Sequence, residues 1–123
     1  MSERDYKEAI KDLVKRDKRY TEEAYNFVSE AVNYTVAKLD AHRHVSALEL
    51  LKGARELAYS QYGVVSGLVL NKWGLRRAND HGNVVYLLIG ENILSASDDD
   101  RPEDFDIEFS FEPLASKTNK KIT

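Results

Sequence analysis

Residues 105–112 read Phe105-Asp106-Ile107-Glu108-Phe109-Ser110-Phe111-Glu112. Large apolar side chains alternate with polar ones without a break. A period of two puts one set on a single face of an extended chain, so the stretch reads as a strand with one buried face. A strand needs a partner, and residues 93–97 are the nearest candidate. Between the two lies Asp98-Asp99-Asp100-Arg101-Pro102-Glu103-Asp104, an acidic turn segment with a proline. Two β segments around a polar loop predict a hairpin over 93–112.

Upstream the period is helical. Tyr6, Ile10, Leu13 and Val14 form a thin apolar stripe on an otherwise charged N-terminal helix within residues 1–20. Thr21 reads as an N-cap, with Glu22 and Glu23 in the first turn favoured by the helix dipole. The helix it opens, 21–39, carries a broad apolar face from Ala24 to Leu39. Ser46 and Glu49 have the spacing of a capping box, and Val45 and Leu50 that of a hydrophobic staple, which starts a helix over 46–62. Gly63 stops it. A short helix over 64–73 ends at Gly74, and Asn79 or Asp80 can cap a last helix over 80–91, with Asn92 suited to a left-handed turn. The expected fold is α+β and mostly helical, with about five helices followed by a C-terminal β-hairpin. Residues 21–112 form one compact domain, and 113–123 a flexible basic tail.

Composition narrows the classes. The chain has 123 residues and no cysteine, which removes disulfides, thiolate nucleophiles and cysteine metal clusters. No apolar run is long enough to span a bilayer, and the charged start of the chain has no apolar signal region, so the cytoplasm is the expected compartment. The net charge of −3 hides an asymmetry. Residues 43–77 carry six basic and two acidic residues, whereas 80–112 carry ten acidic residues against Arg101. One part of the domain is basic and the other strongly acidic.

Helix, short helix, tight turn, helix and hairpin, over residues 45–112, resemble a winged helix-turn-helix of the MarR-like kind. A second resemblance lies in the words themselves. Arg43-His44-Val45-Ser46, Glu49-Leu50-Leu51, Gln61-Tyr62-Gly63, Val69-Leu70-Asn71-Lys72-Trp73-Gly74 and Asp104-Phe105 resemble an uncharacterised bacterial family of small proteins over about residues 20–112. That family has no established activity, so the likeness carries over no catalytic or binding residue. Ala47 stands where that pattern has glycine, which touches only a helix start.

The winged-helix likeness implies a DNA-binding regulator gripping phosphate with Arg76 and Arg77 and reading bases with His81 and Asn83. The residues argue against nucleic acid: the second helix of the motif holds no lysine or arginine, and the hairpin tip is acidic. Phosphate neutralisation supplies most non-specific affinity, so such a surface repels a duplex. Asp40, His42 and His44 include a His-x-His spacing and, with His81 as a further ligand candidate, are the metal candidates, with a polar helix connector as the simpler reading. No nucleophile elbow, phosphate loop or HExxH occurs, so neither catalysis nor a cofactor is expected. The tyrosines Tyr25 and Tyr34 suit an interface with a partner or a second copy, and Asp98, Asp99 and Asp100 suit a basic partner surface. The leading expectation is therefore a non-catalytic protein-interaction module, with no membrane involvement.

Overall fold

The structure, a computed structural model, describes residues 3–39, 44–97 and 99–113. Five α-helices carry the fold: α1 (Glu3–Arg16), α2 (Glu22–Lys38), α3 (Ala47–Tyr62), α4 (Ser66–Lys72) and α5 (Ala78–Gly90). Two 3-10 turns join them, Gly63–Val65 ahead of α4 and Pro102–Phe105 after α5. No strand occurs among the described residues. The expected α+β class with its hairpin is thus corrected to an all-helical fold, and the winged-helix scaffold falls with it.

The reason lies in both arms. Residues 93–97 are committed to closing α5: Asn92 takes a φ of 60°, and the Ile93 and Leu94 amides return to the Leu88 carbonyl at 3.0 and 3.4 Å. Ser97 N donates to Asp100 Oδ2 at 2.8 Å, a local turn that leaves no free edge. The second arm opens as a 3-10 turn with Pro102 in its first position, where a missing N–H costs least. Beyond it, residues 106–113 run as a strap across the helices. The alternation does mark a buried face, since Phe105 and Phe111 are buried while Ile107 stays 42% exposed, but the surface it meets is helical. Arg55 of α3 lies 4.5 Å from the centre of the Phe109 ring and donates to the Ser110 carbonyl at 3.2 Å. Cation–π contact and hydrogen bond together stand in for a ladder.

Helix starts follow local rules. Ala24 N donates to Thr21 Oγ1 at 3.3 Å. Glu49 N donates to Ser46 Oγ at 3.1 Å, and Ser46 N donates back to Glu49 Oε1 at 3.0 Å, a closed capping box. At α5, Asp80 sits inside the first turn, and its Oδ2 accepts from the Arg76 and Arg77 amides at 3.1 and 3.0 Å.

One core joins all five helices and the strap. Ile10 and Leu13 of α1, Phe27 and Val28 of α2, Leu51 and Leu57 of α3, Leu70 of α4, Val84 and Leu88 of α5, and Phe105 and Phe111 are buried together. Tyr25 and Tyr20 pack edge to face beside them, with ring centroids 6.3 Å apart. Among the close approaches that demand glycine are those at Gly74 and Gly82, which join segments distant in the chain. Gly74 has a φ of 98°, and a Cβ there would stand 2.1 Å from the Arg19 carbonyl oxygen. That contact, with Thr21 N donating to the Trp73 carbonyl at 3.2 Å, ties the α1–α2 corner to the α4–α5 turn. A Cβ on Gly82 would stand 2.5 Å from Phe105 Cβ and Cγ, so its absence lets the strap lie against α5.

Candidate functional site

The residues proposed from sequence do not converge. His81 is 1% exposed, between the Phe105 and Phe111 rings at 6.0 Å each, with no hydrogen-bond partner for either ring nitrogen among the described residues. Burial pushes its pKa down to about 4, so it is neutral and unable to reach a base. Asn83 is occupied inside the fold, donating to Tyr20 Oη at 3.0 Å. Tyr20 Oη in turn donates to Asp80 Oδ1 at 2.9 Å, and burial pushes this phenol up to about 12. Arg76 and Arg77 are exposed, but each lines a shallow cleft under the strap, Arg76 with Glu112 and Arg77 with Glu108. A carboxylate shares each cleft, which opposes a phosphate backbone.

Tyr25 is buried completely, its hydroxyl shared between the Leu13 and Asp17 carbonyls at 3.3 Å, so no partner reaches it. Tyr34 is half-buried and donates to Glu56, which also pairs with Lys38. The Lys38 ammonium and then the Tyr34 hydroxyl hold the Glu56 carboxyl below the usual range. Asp40, His42 and Asp98 lie outside the described residues. His44, the described member of the His-x-His pair, stands 3.3 Å from Asp100 through Nε2 and 3.3 Å from Ser97 Oγ through Nδ1. Among the described residues no cluster of three metal-ligating side chains forms. Asp99 is exposed, whereas Asp100 is turned into the loop it closes. Near it is a cavity of about 60 Å³ lined by Val32, Leu50, Tyr86, Asp100 and Asp104, room for a few waters only.

The surface with binding character lies elsewhere, where α3 runs into α4. Tyr59, Tyr62, Val64, Val65 and Leu68 are all exposed, Val64 at 71% and Leu68 at 65%. Isolated exposed leucines are ordinary, but five large apolar groups within ten residues of one elbow form a patch, and such patches mark interaction sites. Its local cause is geometric. Residues 64–70 read Val-Val-Ser-Gly-Leu-Val-Leu, mostly apolar, and span the end of the 3-10 turn and the start of α4, a stretch too short to bury more than one stripe. Ser66, Gly67 and Leu70 take the buried stripe, and Val64, Val65 and Leu68 are left in water. The sequence predicts a short helix over 64–73 and does not mark which of its side chains stay exposed.

Beside the elbow an open groove of about 190 Å³ runs between α2 and the α3 and α4 ends. Phe27, Tyr62 and Trp73 line its floor and wall, and Glu23, Asn26, Glu30 and Gln61 its rim. Tyr62 packs edge to face on Trp73 at 5.6 Å, and Phe27 tilts against the same ring at 5.8 Å. Gln61 Nε2 donates to Glu30 Oε2 at 3.1 Å, and Tyr6 Oη to Asn26 at 2.7 Å, which fixes part of the rim.

Comparison with protein-family models, with curated proteins and with solved structures finds no match to this chain. Among the described residues no helix is long and apolar enough to cross a membrane.

Proposed function

We propose that this chain is a non-catalytic protein-interaction module whose contact surface is the α3–α4 elbow. The observation that carries the reading is the run of exposed apolar side chains at Tyr59, Tyr62, Val64, Val65 and Leu68, which includes the two most exposed large apolar residues among those described, Val64 and Leu68. Removing such a patch from water is the dominant favourable term in protein association. The partner is another protein, and the acidic groove at the edge of the patch favours one with a basic segment.

The test compares two immobilised baits, the wild type and a Val64→Glu, Leu68→Glu variant, against one native extract. Proteins retained are identified by mass spectrometry. The proposal expects a defined set of proteins held by the wild type and lost from the variant, with equal circular dichroism for both baits. Identical retained sets overturn it. Sedimentation at rising concentration shows whether a second copy is the occupant instead.

A further inference from the structure

The groove beside the elbow has a chemistry of its own. Three aromatic rings, Phe27, Tyr62 and Trp73, meet there within 5.6–5.8 Å of one another through Trp73. Two carboxylates, Glu23 and Glu30, stand on its rim, and no lysine or arginine lines it. Glu30 is already held in place by Gln61, whereas Glu23 makes no hydrogen bond or ion pair among the described residues. Aromatic faces carry negative quadrupole potential, and a cation over them is attracted most strongly by tryptophan. A neighbouring carboxylate adds Coulombic attraction, and an aliphatic stem adds apolar contact with the rings.

We propose that this groove receives the side-chain cation of a lysine or arginine from a basic segment of the partner protein. The inference rests on the interaction reading above and names the partner's chemistry. Phe27 forms the buried floor, Tyr62 and Trp73 the walls that contact the stem, and Glu23 with Glu30 the charged end. The groove opens beside Tyr62, which also belongs to the elbow, so one extended segment can lay apolar residues on Val64 and Leu68 and a cation in the groove. The net charge of −3 steers a basic segment toward the protein as a whole, and the groove gives it a seat.

Trp73 is the single tryptophan and reports directly on the site. The probes are amidated, acetylated penta-lysine and penta-arginine, with penta-glutamate as control, titrated at low salt against the full chain while tryptophan emission is read. Expected is a saturable change with at least one basic peptide and none with penta-glutamate. Glu23→Gln with Glu30→Gln weakens the dissociation constant at least fivefold, and Tyr62→Ala does the same. The two glutamates are exposed, so that double variant keeps its fold even where Tyr62→Ala fails to. No saturable change with either basic peptide overturns the proposal. So does unchanged binding in the glutamate variant, which places the peptide on the acidic stretch 99–112 instead. If the elbow captures proteins in a Leu68-dependent way and the peptides do not bind, the cation site fails while the interaction reading stands. Peptide binding without Leu68-dependent capture gives the opposite result.

Discussion

Replacing His81 with leucine should remove a pH dependence of stability that the wild type carries. The imidazole is 1% exposed, both nitrogens are unpartnered among the described residues, and burial alone holds its pKa at about 4 against an ordinary 6.5. The unfolded chain therefore takes up a proton as pH falls through 6.5, and the folded chain does not until about 4. The contribution of this group is intact above 6.5 and is lost as pH falls toward 4. Across the whole window, at about 1.4 kcal/mol per pH unit, the loss approaches about 3 kcal/mol, and by pH 5 it is about 2 kcal/mol. Against a typical domain stability of roughly 5–15 kcal/mol that is a large share. Urea unfolding of wild type and His81→Leu at about pH 7, 6 and 5 measures it. Contributions from all other groups are common to both proteins and cancel in the difference. At neutral pH the variant should be no less stable than the wild type, because unpaired buried nitrogens are exchanged for methyl groups. A stability difference that stays constant from pH 7 to pH 5, within about 0.5 kcal/mol, refutes the assignment of a neutral, dry imidazole.

Gly82→Ala should destabilise by about 1–3 kcal/mol, because the new methyl meets Phe105 and the strap must shift; thermal unfolding reads this directly. Ser46→Ala opens the capping box of α3 and should cost about 1 kcal/mol in chemical denaturation. Leu68→Glu lies on the exposed elbow and should leave stability within about 0.5 kcal/mol while abolishing partner capture.

Local rules were legible in the sequence and distant ones were not. The caps at Thr21 and Ser46 depend on atoms three residues away, so their geometry follows from spacing. The 105–111 alternation marks Phe105 and Phe111 correctly as inward but not Ile107, which stays exposed, because the surface they meet is set by helices elsewhere in the chain. Two helices with an open groove take an extended segment as readily as a strand does, and Gly82, read only as part of a helix, is what makes room for it. The candidate site was missed for a related reason. His81 and Asn83 are polar and sit on a helix, which suggested a reading surface, yet Phe105, Phe111 and Tyr20 close over them from elsewhere. Tyr25 reads as an interface residue by type, and two backbone carbonyls at the end of α1 claim its hydroxyl. Val64 and Leu68 lie in a stretch that reads simply as a short helix, and apolar type alone does not say that the 3-10 turn and α4 leave both in water.

Hydroxyl-radical footprinting of the chain, alone and bound to a partner captured by the elbow, tests the central claim most directly, because it reports side-chain exposure residue by residue. Protection concentrated on Tyr59, Tyr62, Leu68 and Trp73 is the predicted result. Protection on Arg76, Arg77 and the strap, with Tyr62 and Leu68 unchanged, would contradict it.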